Sequence, residues 1–253
     1  MKGVILAGGL GTRLYPLTHV TNKHLLPVYD RPMIYFPIQA LVKAGIKDLL
    51  IVTSGPHVGH FLGMLKNGDQ FGLEHLEYAH QEKPDGGISD ALSLAESFAD
   101  EGPICVILGD NIFGFDLSES VKEFEQEAKG ARVFGIEMEK NVSQYGVIEL
   151  DNEGNIITIE EKPEHPKSNI AQTGIYMYDN TVFDRIRKLS PSARGELEVS
   201  DLNNLYLKDN VLKCGLIDWW IDAGTSFDEL LRAGNQVAEK IKVGTLPRLE
   251  EKE

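Results

Sequence analysis

Apolar positions along this chain follow two rhythms, and the change between them divides it. Near the N-terminus Gly3-Val4-Ile5-Leu6-Ala7 is a short apolar run stopped by glycines, which predicts a buried parallel strand and a tight turn. Ile34, Ile38, Leu41 and Val42 fall at i, i+4, i+7 and i+8, predicting an amphipathic helix over 33–44 that Gly45 closes. Leu49-Leu50-Ile51-Val52 reads as a second buried strand, followed by a helix near 57–66 and a strand near 74–79. Ala91, Leu92, Ala95 and Phe98 share one face of a helix expected over 88–98. Ile104-Cys105-Val106-Ile107-Leu108 is another fully apolar strand, and Val121, Phe124 and Ala128 mark the next helix. Strand and helix in alternation predict an α/β fold, a Rossmann-like and mostly parallel central sheet with helices on both faces.

After about residue 131 the texture becomes mixed. Strand-like runs at 131–138, 145–150, 155–160 and 173–178 have fewer helices between them, and Asn152-Glu153-Gly154-Asn155 predicts a hairpin turn. Helices are expected near 179–188, 198–208 and 226–241. This portion reads as a smaller mixed β/α part. There is no internal repeat or long linker, so one domain over 1–253 is expected, with halves at 1–130 and 131–241. Leu249-Glu250-Glu251-Lys252-Glu253 reads as a frayed tail.

Composition narrows the partners. The chain has 253 residues and a net charge of −14, so its overall field repels nucleic acid and anionic membrane. Any phosphate must be held by local donors. The two cysteines, Cys105 and Cys214, make no disulfide framework, and Cys105 reads as a small buried hydrophobe. The N-terminal apolar run is too short for a signal peptide, and no stretch reaches the length of a membrane span, so a cytoplasmic setting is expected.

The clearest chemical feature is Leu6-Ala7-Gly8-Gly9-Leu10-Gly11-Thr12-Arg13-Leu14, directly after the first strand. Three glycines in four positions let backbone amides approach a ligand and form an anion nest. Arg13 adds a planar, permanently charged phosphate clamp. A Walker loop would need a lysine after Gly11, and a dinucleotide fingerprint would need glycine where Leu14 stands. A phosphate loop of another type fits best, against a plain tight turn with a solvated Arg13. Read alone, Lys23 is a surface lysine or a phosphate contact. Asp110, just beyond the strand 104–108, is a helix cap or a hard oxygen ligand for a metal. Glu160-Glu161-Lys162 is an exposed strand end or a site.

The segments Gly8 to Leu14, Asn22-Lys23-His24-Leu25-Leu26-Pro27-Val28 and Arg31-Pro32-Met33 together resemble the sugar-phosphate nucleotidyltransferases, in particular their thymidylyltransferase branch. Further matches are Gln81 to Ile88, Leu108-Gly109-Asp110-Asn111, Tyr145-Gly146-Val147, Glu160-Glu161-Lys162-Pro163, Thr173-Gly174-Ile175-Tyr176, Arg194 to Glu198 and Trp219 to Thr225. The resemblance covers residue 1 to about 235. It departs from the family at His24, where glutamine is usual, at Gln172, where valine is usual, and by one extra residue before Gly87. The long members carry a C-terminal helical segment, and a regulatory site of that kind is not expected here.

The resemblance implies a magnesium-dependent enzyme that joins dTTP, or another pyrimidine triphosphate, to glucose 1-phosphate and releases pyrophosphate. A UTP- or CTP-dependent enzyme, a non-catalytic nucleotide sensor and an NAD-binding module are the alternatives. It implies a nucleotide-binding half over 1–130, with Leu6, Gly8, Gly9, Gly11, Thr12, Arg13, Lys23, Gln81, Gly86, Gly87 and Asp110 at the nucleotide. A sugar-phosphate half over 131–241 follows, with Asn111, Tyr145, Gly146, Glu161, Lys162, Gln172, Arg194 and Trp220 at the sugar phosphate. Arg13, Lys23, Asp110, Lys162 and Asp222 would be catalytic, Mg2+ would be held by Asp110 and Asp222, and a homo-oligomer, tetramer or dimer, is implied. Trp219 reads as core packing.

Overall fold

The run 3–7 becomes β1 (Lys2–Ala7), whose last five residues are all buried. The glycine loop after it is followed by three short 3-10 turns and a two-residue hairpin, β2 (Pro27–Val28) and β3 (Arg31–Pro32). Then come α1 (Tyr35–Lys43), β4 (Asp48–Ser54), α2 (Val58–Leu65) and β5 (His75–Gln81). The helix expected over 88–98 is instead two, α3 (Ile88–Ser93) and α4 (Glu96–Ala99). At the break Leu94 and Ala95 bond back to Ala91 and Leu92, a tighter i to i−3 pattern, and the Ser93 hydroxyl donates to the Asp90 carbonyl at 2.6 Å. Next are β6 (Ile104–Leu108), β7 (Asn111–Phe113), α5 (Ser118–Glu127) and β8 (Ala131–Glu137). Strands β9 (Gly146–Leu150) and β10 (Ile156–Glu161) form the expected hairpin. The chain continues through β11 (Ile170–Tyr178), α6 (Val182–Ile186), α7 (Val199–Lys208), β12 (Leu212–Leu216), β13 (Trp220–Asp222) and α8 (Phe227–Lys242). This computed structural model describes residues 1–127 and 129–249. Ala128, expected on the helix marked by Val121 and Phe124, and the tail residues 250–253 therefore lie outside the described residues.

Four strands, β5-β4-β1-β6, lie side by side and parallel, which is the part that strand–helix alternation announces. Antiparallel β11 then joins β6 to the strands of the second half, so both halves share one nine-stranded sheet. Strand β11 is buried along all nine residues and starts three residues before the expected 173. A separate pair, β7 with β13, sets Asp222 opposite Asn111. Strands β7 and β13, three residues each, are too short to stand out as periodic runs, and β12, exposed or only partly buried along its length, carries no buried apolar run.

The core divides into one cluster on each face of the sheet and a third under α8. Leu249, expected to fray, is tied down: its amide donates to Asp30 at 3.0 Å, and Arg31 donates to the Pro247 carbonyl at 2.7 Å. Both cysteines are free thiols. Among the described residues no helix is long and apolar enough to cross a membrane.

Candidate functional site

The C-terminal ends of parallel β1, β4, β5 and β6 open on one side of the sheet, where open α/β folds bind ligands. They deliver Gly8, Gln81 and Asp110 to a cavity of about 290 Å³ whose wall includes Leu6, Gly8, Gly9, Arg13, Lys23, Gln81, Gly87, Asp110 and Asp222. Nine of the residues expected to contact nucleotide or metal thus share one space. Gly11, Thr12 and Gly86 lie outside its wall. Gly11, at φ 62°, shapes the loop, and its carbonyl accepts from the Thr18 hydroxyl at 2.8 Å. The Gly9 amide donates to Ser54 Oγ at 2.7 Å, so one member of the expected amide nest already has a partner.

Asn22 caps the 3-10 turn Lys23–Leu25, accepting from the His24 amide at 3.0 Å. That turn aims Lys23 at Asp110, and its Nζ donates to Asp110 Oδ2 at 2.5 Å. Burial opposes the Lys23 charge, but Asp110 and Asp222 outweigh it and raise its pKa. Burial likewise opposes the Asp110 charge, and Lys23 outweighs it, holding the carboxyl well below the usual range. Asp222 lacks such a partner. Burial first, and the Asp110 charge second, push it up to about 8, and its Oδ1 is buried without a hydrogen bond. His24 is buried too; burial and the Lys23 charge lower it to about 3, so it is a neutral wall residue whose Nδ1 meets Asn22 Oδ1 at 2.7 Å.

Two carboxylates, one with an orphan buried oxygen, fit a hard divalent cation. Among the described residues no three His, Cys, Asp or Glu side chains cluster as a metal cage. Two protein carboxylates leave the remaining coordination positions to substrate phosphates and water, as magnesium prefers.

Gln81 is sharply constrained. Its Nε2 donates to Asp90 Oδ2 at 2.7 Å and to the Gly87 carbonyl at 3.3 Å, so its carbonyl oxygen is the end left to face Gly8 and the cavity. Gly87 stands at φ 92°, and a Cβ there would come within 2.8 Å of the Leu197 backbone, so only glycine lets this loop pack against residues 196–198.

The residues expected at the sugar phosphate do not line this cavity; they form a wall joined to it by two hydrogen-bond and ion-pair routes. On one route Asn111 donates to Asp110 Oδ1 at 3.2 Å and accepts from Trp220 Nε1 at 2.6 Å and from the Gly174 amide at 2.8 Å. Trp220, buried at 6% exposure, meets Tyr145 edge to face at 5.2 Å, and burial raises the Tyr145 phenol to about 12. On the other route Glu196 lines the cavity and lies 3.6 Å from Arg194, which reaches Glu161 at 3.4 Å. Lys162 approaches Glu161 at 3.7 Å and is held in the left-handed region at φ 45°, a strained state for a side-chain-bearing residue.

Three of the expected residues have partners within the protein. Arg194, expected at the phosphate, is bracketed by Glu161, Glu196 and Glu198, with its Nε and Nη2 bonded to Glu198 at 3.1 and 2.8 Å. Gln172 is buried, its Oε1 accepting from Asn203 at 3.0 Å, one layer behind Gly146. Trp219 packs against the core as a partly buried residue, its indole donating to Gln236 and Lys240 sitting over its ring at 4.4 Å. Ser54, Asp90 and Ser200 had no sequence signal, since each acts by touching a residue distant in the chain.

The family model described as "Nucleotidyl transferase" matches residues 2–240. A glucose-1-phosphate thymidylyltransferase of Neisseria gonorrhoeae is 46% identical over 229 residues, spanning 89% of this chain and 78% of the relative. One from an Actinoplanes species is 42% identical over 253 residues, spanning 96% and 82%. A Bacillus anthracis protein crystallised in complex with a sucrose has TM-score 0.88 and 47% identity, covering 93% of this chain and 94% of that one. A UDP-glucose pyrophosphorylase complexed with UDP-glucose, 24% identical at TM-score 0.81 over 94% and 98%, shares the fold.

Proposed function

This chain belongs to the nucleotidyl transferase family, and from that premise we propose that it acts as a glucose-1-phosphate thymidylyltransferase. Its reaction joins dTTP to glucose 1-phosphate, giving dTDP-glucose and pyrophosphate. The observation that carries this reading is the single cavity that collects Arg13, Lys23, Gln81, Asp110 and Asp222 at the open end of the sheet.

Residues 1–130 hold the nucleotide and 131–241 the sugar phosphate. The base lies against Gln81 and Gly87. With its amide hydrogens committed to Asp90 and Gly87, Gln81 offers only an acceptor. Thymine and uracil present their N3–H donor to it, whereas cytosine has a lone pair at N3 and donates only from its 4-amino group, so the acceptor favours a base that is held through N3–H. Arg13 and the glycine loop hold the β- and γ-phosphates, the phosphates displacing Ser54 from the Gly9 amide. Lys23, kept charged by Asp110 and Asp222, offsets charge at the α-phosphate. Lys162 neutralises the phosphate of the sugar, so that two anions can approach. An ionised oxygen of that phosphate attacks the α-phosphorus, a new P–O bond forms, and the α–β bridging bond breaks to release pyrophosphate. No general base is needed, because the nucleophile is already ionised. Asp110 and Asp222 would hold Mg2+, which when bound supplies positive charge beside the triphosphate. Glu161, and the Gly146 backbone beside it, take the sugar hydroxyls, while Trp220, Tyr145 and Asn111 shape the wall. A cytoplasmic homo-oligomer, tetramer or dimer, is the setting that goes with the family resemblance.

The division of labour is tested by two substitutions. Arg13→Ala is expected to raise the KM for dTTP and Lys162→Ala the KM for glucose 1-phosphate, each roughly tenfold or more, as loss of one charged hydrogen-bonding partner implies. Steady-state kinetics with each substrate varied in turn reads this out. Equal losses toward both substrates in both variants would contradict it.

A further inference from the structure

Glu161 ends β10 opposite Gly146 on β9, and its two carboxylate oxygens have different neighbours. Oε1 faces the cations, with Arg194 at 3.4 Å and Lys162 at 3.7 Å. Oε2 accepts a 2.5 Å hydrogen bond from Ser200, which is 1% exposed in the first turn of α7. That helix is itself fixed to β10, since Asn204 donates to the Ile159 carbonyl at 2.8 Å. A Cβ on Gly146 would come within 2.9 Å of Ser200 Oγ, so the Gly146 backbone lies directly over this bond. Behind it Tyr178 donates to Asn203 at 2.7 Å and Asn203 to Gln172 at 3.0 Å, a buried hydrogen-bonded chain that backs this side of the site.

Resting on the assignment of Glu161 to the sugar, we propose that Ser200 is a positioning residue for the sugar substrate. Its hydroxyl takes Glu161 Oε2 and leaves Oε1, beside Lys162, as the one carboxylate oxygen that receives a sugar hydroxyl. A free glutamate side chain samples several rotamers, and the Ser200 bond removes that freedom before the sugar arrives.

The test is a double-mutant cycle on the full-length enzyme, with Ser200→Ala, Glu161→Gln, both together, and Ser200→Thr. Ser200→Ala is expected to raise the KM for glucose 1-phosphate roughly tenfold while the KM for dTTP stays put, as loss of one hydrogen bond to a charged group implies. Ser200→Thr, which keeps the hydroxyl, restores the parent value. In the Glu161→Gln background the alanine change adds nothing. General loosening of α7 would instead disturb both substrates and add fully to Glu161→Gln. An unchanged KM for glucose 1-phosphate in Ser200→Ala, or full additivity, overturns the proposal. If Glu161→Gln alone leaves that KM unchanged, the sugar assignment falls first, and the role of Ser200 with it.

Discussion

Asp222→Asn is expected to cut turnover by roughly 100- to 1,000-fold while leaving the fold intact. The separation follows from the state of this carboxyl. With its pKa pushed up to about 8 by burial and Asp110, Asp222 is largely protonated at neutral pH in the metal-free protein. Asparagine is a neutral group of nearly the same shape, so it replaces that form at little cost. What it removes is the anionic oxygen that would meet the metal, the atom left buried without a partner. The pH dependence has a definite sign. The folded pKa lies above the ordinary aspartate value of 3.8, so the native state carries a proton there that the unfolded chain has lost. The metal-free protein therefore loses stability as pH rises between these values, and Asp222→Asn escapes that loss. At pH 9 without magnesium the variant should melt above the parent. In the parent, magnesium competes with the Asp222 proton, so its binding should tighten from pH 6 to 8. Melting curves with and without magnesium check both statements; a variant that melts well below the parent at pH 9 would contradict the assigned protonation.

Asp110→Asn should lose activity to a similar degree but also lose stability. Asp110 is ionised and carries the 2.5 Å bond from Lys23. A neutral replacement strands a buried ammonium whose remaining nearby carboxylate, Asp222, is itself reluctant to ionise. Removing one partner of a buried pair costs roughly 3 kcal/mol or more. Denaturant unfolding of the two asparagine variants side by side should therefore separate them, with only Asp110→Asn showing a lower midpoint. Equal stability would mean that the Lys23–Asp110 pair contributes nothing net.

The contrast between these neighbouring aspartates was not legible in the sequence. Their identity as a pair came from the resemblance; their different protonation comes from Lys23, which a 3-10 turn capped by Asn22 hydrogen-bonds to Asp110 and not to Asp222. The parallel half of the sheet was legible because its strands are continuous apolar runs buried on both faces. Strands β7 and β13, which carry Asn111 and Asp222, were missed because three residues are too few to show a period. The glycine loop was legible as a turn because its three glycines fall within four positions of the chain. The engagement of Gly9 by Ser54 was hidden, because it depends on a strand 45 residues away. The resemblance placed Arg194 at the sugar phosphate, and in the fold three carboxylates surround it. Two of them, Glu196 and Glu198, were visible in the same segment and could have signalled an internal ion cluster.

These residues make sense together only if one cavity brings the phosphates of two substrates to a shared centre. The most direct measurement is pyrophosphate release, with dTDP-glucose quantified in parallel, on incubating the protein with dTTP, glucose 1-phosphate and magnesium. The expected result is one pyrophosphate per dTDP-glucose, none when the sugar phosphate is omitted, and little product when CTP replaces dTTP. Pyrophosphate released without sugar phosphate, or no sugar nucleotide with any pyrimidine triphosphate, would contradict it.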